Sequence, residues 1–339
     1  MCIRDRPESD DVDMLNSNSE QDKTSISIVW WIMLFINVFQ TLHFIPDRAI
    51  AWLLKFIYVL LRFLGAYSPI IARASEIFPS TLYLRDKYSV WKNNFKRYVV
   101  CKECHTLYNY EDCIEQSGTG MRAKTKAKAC SHRSFSRICG GSLLREVASL
   151  SGNIKLYPYR VFCYKSVIDT MQGLLNRAGF ADACEGTRVL YSSSKISDIY
   201  QGQLWKDFLT VNEIDFLTLP YAFGFLLNVD WFKPFQHQEY SVGVIYLAVL
   251  NLPRAIRYKK ENIIIVGIMP GPSESPLTIN SYLSPLVSDL LKLWTGVKLG
   301  IHGVGDHLVR AALLGVACDL PAARKTCGFL SYVANLGCS

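Results

Sequence analysis

Apolar and polar positions change their spacing several times along the chain. Pro7 to Lys23 is acidic, rich in Ser and Asn and nearly free of apolar side chains, so residues 1–24 are expected to be a disordered tail. Met1 to Arg6 reads as translated sequencing adapter and is set aside. Ile26 to Ile45 then runs twenty residues without a charge, and after Pro46-Asp47-Arg48-Ala49 a second apolar stretch, Ile50 to Gly65, carries only Lys55 and Arg62. Asn37, Gln40 and His43 recur at helical spacing on one face. Residues 25–98 are therefore expected to be helical, beginning with a soluble hairpin whose second helix is buried and whose two cations snorkel outward. A membrane span over Ile26 to Ile45 is the competing reading, since a hydropathy window alone confuses core and membrane helices.

Further on the period shortens. Leu156 to Lys165 has the aromatic and β-branched content of a strand, and Ser166, with Asp169 three residues on, caps a helix that Gly179 stops. Tyr157, Tyr159, Phe162 and Tyr164 read as strand-face packing in preference to base stacking. From Phe216 the order becomes strand, strand, strand, helix, strand. The strands are Tyr221 to Trp231, Tyr240 to Leu250, Ile263 to Met269 and Leu308 to Cys318. The helix, Thr278 to Trp294, is expected to bury Leu283, Leu286, Val287, Leu290, Leu291 and Trp294.

Three antiparallel strands, a helix and a fourth strand is the order of a ribonuclease H-like α/β fold. There the first and fourth strands lie side by side, so Asp230 and Asp319, each directly after an apolar strand, would face one another. Two such carboxylates can share Mg²⁺ or Mn²⁺, hard cations that prefer oxygen ligands, for in-line phosphodiester displacement. An Asp ending a strand is also an ordinary turn or cap residue.

Composition adds a second candidate chemistry. Of the net charge of +8, residues 85–137 hold +7, from twelve Lys or Arg against five Asp or Glu, which suits a polyanionic partner. The same region is rich in cysteine. Cys101 and Cys104 form a C-x-x-C knuckle, and Cys130 and Cys139 complete a tetrahedral Zn²⁺ set, with His132 or Cys113 as substitutes. Eleven cysteines, an odd number, fit a reduced compartment better than a disulfide framework. Unliganded surface thiols are the plain alternative. Arg122, Lys124, Lys126, Lys128, Arg133 and Arg137 lie between and beside the ligand pairs and are the candidate phosphate contacts, with a solvated loop as the alternative. His237 is expected at the surface, Asp306 and His307 in a Gly-rich turn, and Arg257, Lys259 and Lys260 form a basic run between strands.

The stretches LNVDWFKPF (227–235), PGPSESPLTINSYLSPL (270–286) and RAALLGVACDLPA (310–322), with GQLWKDF (202–208) and YPYRVFCYKS upstream, resemble CACTA-type (En/Spm) DNA transposases over residues 99–339. The resemblance implies that Asp230 and Asp319 are the first two acids of an aspartate-aspartate-glutamate triad and that the protein acts on transposon ends in the nucleus. DNA is then the expected partner, a homo-oligomer is compatible with the reading, and a membrane is the less favoured partner. Trp231 departs from the family, whose plant members tend to have Gly there. The third acid belongs on a later helix, and residues 320–339 contain no Asp or Glu. The chain is thus expected to be a transposase fragment inactive alone, or else a non-catalytic zinc and DNA-binding protein derived from one. Cys327 and Cys338 resemble the start of a second zinc-binding insert. The expected organisation is an acidic tail (1–24), a helical region (25–98), a zinc-ribbon-like basic module (99–145), a connecting α/β region (146–210) and an incomplete ribonuclease H-like core (211–339).

Overall fold

A computed structural model of the chain describes residues 20–43, 45–88, 94–117, 124–148, 154–191, 195–211, 214–235, 238–272 and 279–329. The chain divides into two compact units, residues 1–93 and 94–339.

The first unit is helical: α1 Glu20–His43, α2 Asp47–Gly65, α3 Pro69–Ile77 and α4 Leu82–Tyr88. Residues 1–19, most of the expected tail, lie outside the described residues, but from Glu20 the chain is already helix, six residues before the apolar run starts. Pro46 stands just outside α2, with Asp47 opening its first turn, where a carboxylate complements the helix dipole. The polar face read on α1 has a local use: the Gln40 amide donates to Asp47 (2.8 Å) and accepts from Arg85 (2.6 Å). The expected burial of α2 does not hold. Only the stripe Ile50, Leu54 and Leu61 is buried, whereas Trp52, Phe56, Val59 and Phe63 are exposed, as are Trp31, Phe35 and Leu42 of α1. A helix apolar on both faces has more apolar surface than the neighbours packed on one face can cover. By length and composition, Gln21–His43 would suffice to cross a membrane.

The second unit is built on an eight-stranded sheet. In chain order its elements are β1 Lys96–Val100, β2 Leu107–Tyr108, the hairpins β3 Ile114–Ser117 with β4 Lys124–Ala127, β5 Arg133–Ser134 with β6 Arg137–Ile138, and β7 Leu144–Ala148 with β8 Ile154–Pro158. These are followed by β9 Val161–Tyr164, α5 Val167–Leu175, α6 Phe180–Glu185, α7 Gln203–Asp207, β10 Thr210–Val211 with β11 Ile214–Asp215, β12 Ala222–Phe232 and β13 Val242–Val249. Then come α8 Arg254–Arg257, β14 Ile263–Met269, α9 Asn280–Thr295, β15 Val297–Ile301, β16 Gly305–Val316 and α10 Leu320–Cys327. The sheet order is β15-β16-β12-β13-β14-β9-β1-β2; β12 and β16 are parallel and the other neighbours antiparallel. Segments expected as module, connector and core therefore all contribute strands to one sheet.

Alternation along β12 sorts its side chains. Phe223, Phe225, Leu227 and Val229 join Met171, Leu175, Tyr282 and Leu286 in the main core under α5 and α9. Gly224 and Leu226 face a smaller cluster of Tyr200, Trp205, Leu250 and Leu314, and Gly224 is needed there because a Cβ would meet Leu314 Cδ1 at 2.6 Å. Three sequence expectations are corrected. The aromatic run 156–165 is two strands: β8 pairs with β7, while β9 pairs with β1 and β14. The α5 helix, capped by Ser166 accepting from Asp169 N–H, stops at Asn176, and Gly179 instead opens α6 with φ +78°. On α9 the buried face is Tyr282, Leu286, Asp289 and Leu293, and Val287, Leu291 and Trp294 are exposed.

Candidate functional site

Two places gather metal-ligating side chains. In the first, the sulfur atoms of Cys101, Cys104, Cys130 and Cys139 all lie within 4.8 Å of one another. Cys104 and Cys130 are 3.4 Å apart, and Cys101 and Cys139 are 3.7 Å apart. Thiolates 2.3 Å from a tetrahedral Zn²⁺ would be about 3.8 Å apart, so the set has the size that such an ion needs. The four come from two tight turns. In the first, Cys101 N–H donates to Thr106 O, His105 N–H returns to Cys101 O, and His105 takes a left-handed φ of +58°. In the second, Cys139 N–H donates to His132 O and Gly140 N–H to Cys130 O. Gly141 leaves room for the sulfurs, since a Cβ there would stand 2.9 Å from Cys101 Sγ.

The substitutes fall away. Cys113 is buried with its Sγ turned to Asn109 O (3.3 Å), and His132 is exposed. Around the cluster Tyr108 OH lies 3.1 Å from Cys130 Sγ and accepts His132 N–H, an outer contact of the kind that orients a ligand. Burial pushes the Cys101 thiol up to about 12, so a cation must displace its proton to bind. The module is tied to the sheet: β1 and β2 flank the knuckle, and His105 Nδ1 lies 2.9 Å from Tyr282 OH on α9.

The expected phosphate contacts surround this cluster unevenly. Lys126, Lys128, Arg133 and Arg137 are exposed. The backbone of Lys124 lies in β4, its side chain lies outside what is described, and Arg122 lies outside the described residues altogether. His237 is likewise outside them.

The second place is at the C-terminal ends of β12 and β16. Their parallel pairing runs to Leu227 opposite Val316. Beyond it the two paths stay together: Ala317 N–H donates to Leu227 O (2.8 Å), the Asn228 amide to Ala317 O, and Val229 N–H to Cys318 Sγ (3.0 Å). Asp230 and Asp319 are the next residues on the two paths. Both are exposed. The Asp230 carboxylate accepts no hydrogen bond among the described residues, although its backbone pairs with Val244, whereas Asp319 caps α10 by accepting Ala322 N–H (2.8 Å), which leaves its second oxygen. Burial, together with the carboxylates of Asp319 and Asp230 and the Cys327 thiol, pushes the Cys318 thiol up. Among the described residues no third acid joins them. The unusual Trp231 is accommodated by its cross-strand partner Gly243, where a Cβ would meet the indole nitrogen at 2.8 Å.

Other polar residues serve the scaffold. Arg257 leaves the expected basic run: it is 2 % exposed and forks onto Asp198 (2.8 and 2.7 Å), with Tyr200 OH beside it. Tyr200 in turn donates to Leu250 O and Leu252 O, bracing the turn after β13. Burial alone would raise the Asp198 carboxyl, but the Arg257 fork holds it below the usual carboxylate value. Asp289 is buried on α9, its Oδ2 accepting from Tyr164 OH, Ser166 Oγ and Val167 N–H, so it pins the start of α5, while its Oδ1 faces Lys292 Nζ at 3.8 Å. Asp306 pairs with Lys298 across β15 and β16, and His307 lies against Tyr221, both within a strand rather than the expected turn. Gly141, Tyr108 and Asp289 gave no sequence signal, because each acts on a residue distant in the chain.

A mixed α/β sheet, four cysteines close enough together to hold a metal ion, and two acids near the C-terminal ends of neighbouring strands are what the second unit presents. Residues 194–339, which hold the acid pair, match the sequence model of the transposase family tnp2. The match supports a transposase-derived protein, for which DNA is the general class of partner. A comparison with curated proteins returned no match.

Proposed function

We propose that this chain is part of a cut-and-paste DNA transposase of the CACTA (En/Spm) type, with a ribonuclease H-like core, working in the nucleus on transposon ends. The observation that carries the reading is the placement of Asp230 and Asp319 on adjoining strand ends inside the transposase-like stretch. The donors fit a hard divalent cation: exposed carboxylate oxygens, one unpartnered and one half-used in a helix cap. Mg²⁺ or Mn²⁺ bound there would stabilise the charge that develops on a phosphodiester during in-line attack. The residues of the chain hold the acids in register, through the Asn228 amide and the α10 cap, and the Cys318 thiol stays protonated beside them. The test is Mn²⁺ titration followed by electron paramagnetic resonance. Wild-type chain should bind the ion, and Asp230→Ala and Asp319→Asn should each lose it; unchanged titration in both variants sinks the assignment.

A second reading, a non-catalytic zinc and DNA-binding protein derived from a transposase, is favoured by one contrast. The thiol cluster has all four ligands, while the acid pair has no third member among the described residues. On this reading Zn²⁺ at the thiols holds the basic hairpins, and Lys126, Lys128, Arg133 and Arg137 contact phosphates. Replacing Lys126 and Lys128 by Ala should weaken duplex binding and lower its dependence on salt by about two counterions, on the rule of about 0.9 per phosphate contact. Binding indifferent to salt and to both lysines rejects it.

A further inference from the structure

The β5–β6 hairpin carries a residue that the fold does not use. Arg133 pairs with Ile138 and Ser134 with Arg137, so the turn is the two residues Phe135 and Ser136. Phe135 is completely exposed, at 100 %, and has a left-handed φ of +52°. In a two-residue hairpin turn a positive φ at the first central position favours glycine, asparagine or aspartate, and a bulky side chain there is a steric outlier. An aromatic ring thus sits where the backbone disfavours it and where it buries nothing. Its base is held firmly: Cys130 and Cys139 stand on either side of the hairpin, Cys139 N–H donates to His132 O, and Tyr108 OH accepts His132 N–H. Residues directly opposite in an antiparallel pair share a face, so Arg133 lies with Ile138 on one side and Arg137 with Ser134 on the other. A cation on each side and an apolar ring at the tip match the two phosphate strands and the stacked base pairs between them.

We infer that Phe135 is a wedge that enters duplex DNA between adjacent base pairs, with Arg133 and Arg137 gripping the phosphates of the two strands. Apolar wedges of this kind unstack a base step and kink the helix. The inference rests on the DNA-binding reading of the zinc module, and the experiment separates the two. Zinc-loaded full-length chain is added to a mixed-sequence duplex with 2-aminopurine at successive steps and a donor and acceptor dye at its ends. Wild type should raise 2-aminopurine fluorescence at the contacted steps and shorten the end-to-end distance. Phe135→Gly should abolish both signals and weaken binding by about tenfold, within the range for losing one base-aromatic stack. Its thermal midpoint should be equal or higher, because glycine relieves the backbone. Phe135→Leu, another apolar wedge, should keep most of the kink. Salt-dependent binding with no kink, or a kink unchanged in Phe135→Gly, overturns the wedge and leaves the module a DNA binder. Binding of single-stranded DNA alone overturns the duplex wedge, and failure of wild type to bind any DNA overturns the module reading as well.

Discussion

The four thiols lie on turns beside short strands with little core of their own, whereas Asp230 lies near the end of one of the longest strands of the sheet and Asp319 caps the helix that follows another. In the module, among the described residues, Val99, Leu143, Leu144 and Leu156 are the buried aliphatics of a cluster otherwise made of buried cysteines. A region with so small an apolar core gains most from a cross-link, so a metal held by the four thiols would be part of what folds it. The acids are the reverse case. Their strands are set by Phe223, Phe225, Leu227, Val309 and Ala311 in the main core, so the carboxylates contribute little to the fold that positions them. A candidate metal site can therefore be a cause of its local structure or a passenger on it, and the two proposed sites of this chain fall on opposite sides of that division.

The comparison breaks most readily at a thiol. Cys130→Ser should remove most of a zinc affinity that in such sites amounts to about 10–16 kcal/mol. Competition with a chromophoric chelator would measure it, and hydrogen exchange should show β3 to β6 losing protection while β12 to β16 keep theirs. Stoichiometric zinc in the variant would contradict the assignment. Because the thiols must shed protons to bind, with Cys101 held up to about 12, affinity should also fall steadily as the pH is lowered.

Next in size is the scaffold at the turn after β13. Arg257→Met leaves Asp198 without its buried partner and should cost about 3–5 kcal/mol in denaturant unfolding. Asp198 is depressed in the folded state, so its contribution is present above the ordinary carboxylate value, about 3.9, and is lost as pH falls through the folded value below it. The difference between wild type and variant should accordingly shrink in acid, and a difference independent of pH would count against the ion pair as its origin.

The acids themselves should have the smallest effects, and unequal ones. Asp319→Ala removes the α10 cap and should cost about 1 kcal/mol. Asp230→Asn, at an exposed and unpartnered position, should stay within about 0.5 kcal/mol of wild type while losing Mn²⁺. A large destabilisation by Asp230→Asn would make that carboxylate structural and erase the contrast.

What was legible follows the same division. The C-x-x-C knuckle and its distant partners could be read because thiols at turn spacing have few other uses, and the apolar runs around Asp230 and before Asp319 could be read as strands because their length and composition fit buried strands. Long-range pairings were not legible: nothing local ties Asp198 to Arg257, or Asp289 to the start of α5. The run 156–165 looks like one strand because its aromatic content is uniform, yet β8 serves the module and β9 the main sheet. On α2 and α9 the apolar residues cover more than one face, so periodicity alone could not say which face is buried. Phe135 went unremarked because a single aromatic in a basic loop has no period at all.

The parallel contact between β12 and β16 joins residues 89 positions apart, as the Asn228 to Ala317 bond shows. The hairpins β12–β13 and β13–β14 close over short distances, but this contact must wait for α9 and β15 to be ordered between its halves, and contacts of such high sequence separation form slowly. Asp230 should thus spend the early part of refolding on a finished hairpin with no acid beside it. Pulse-labelled hydrogen exchange should show β13 protected before β16, and simultaneous protection would refute that order. Any agent that captures the chain in that interval would find the zinc module's cysteines and the first acid available, and the second acid not yet delivered.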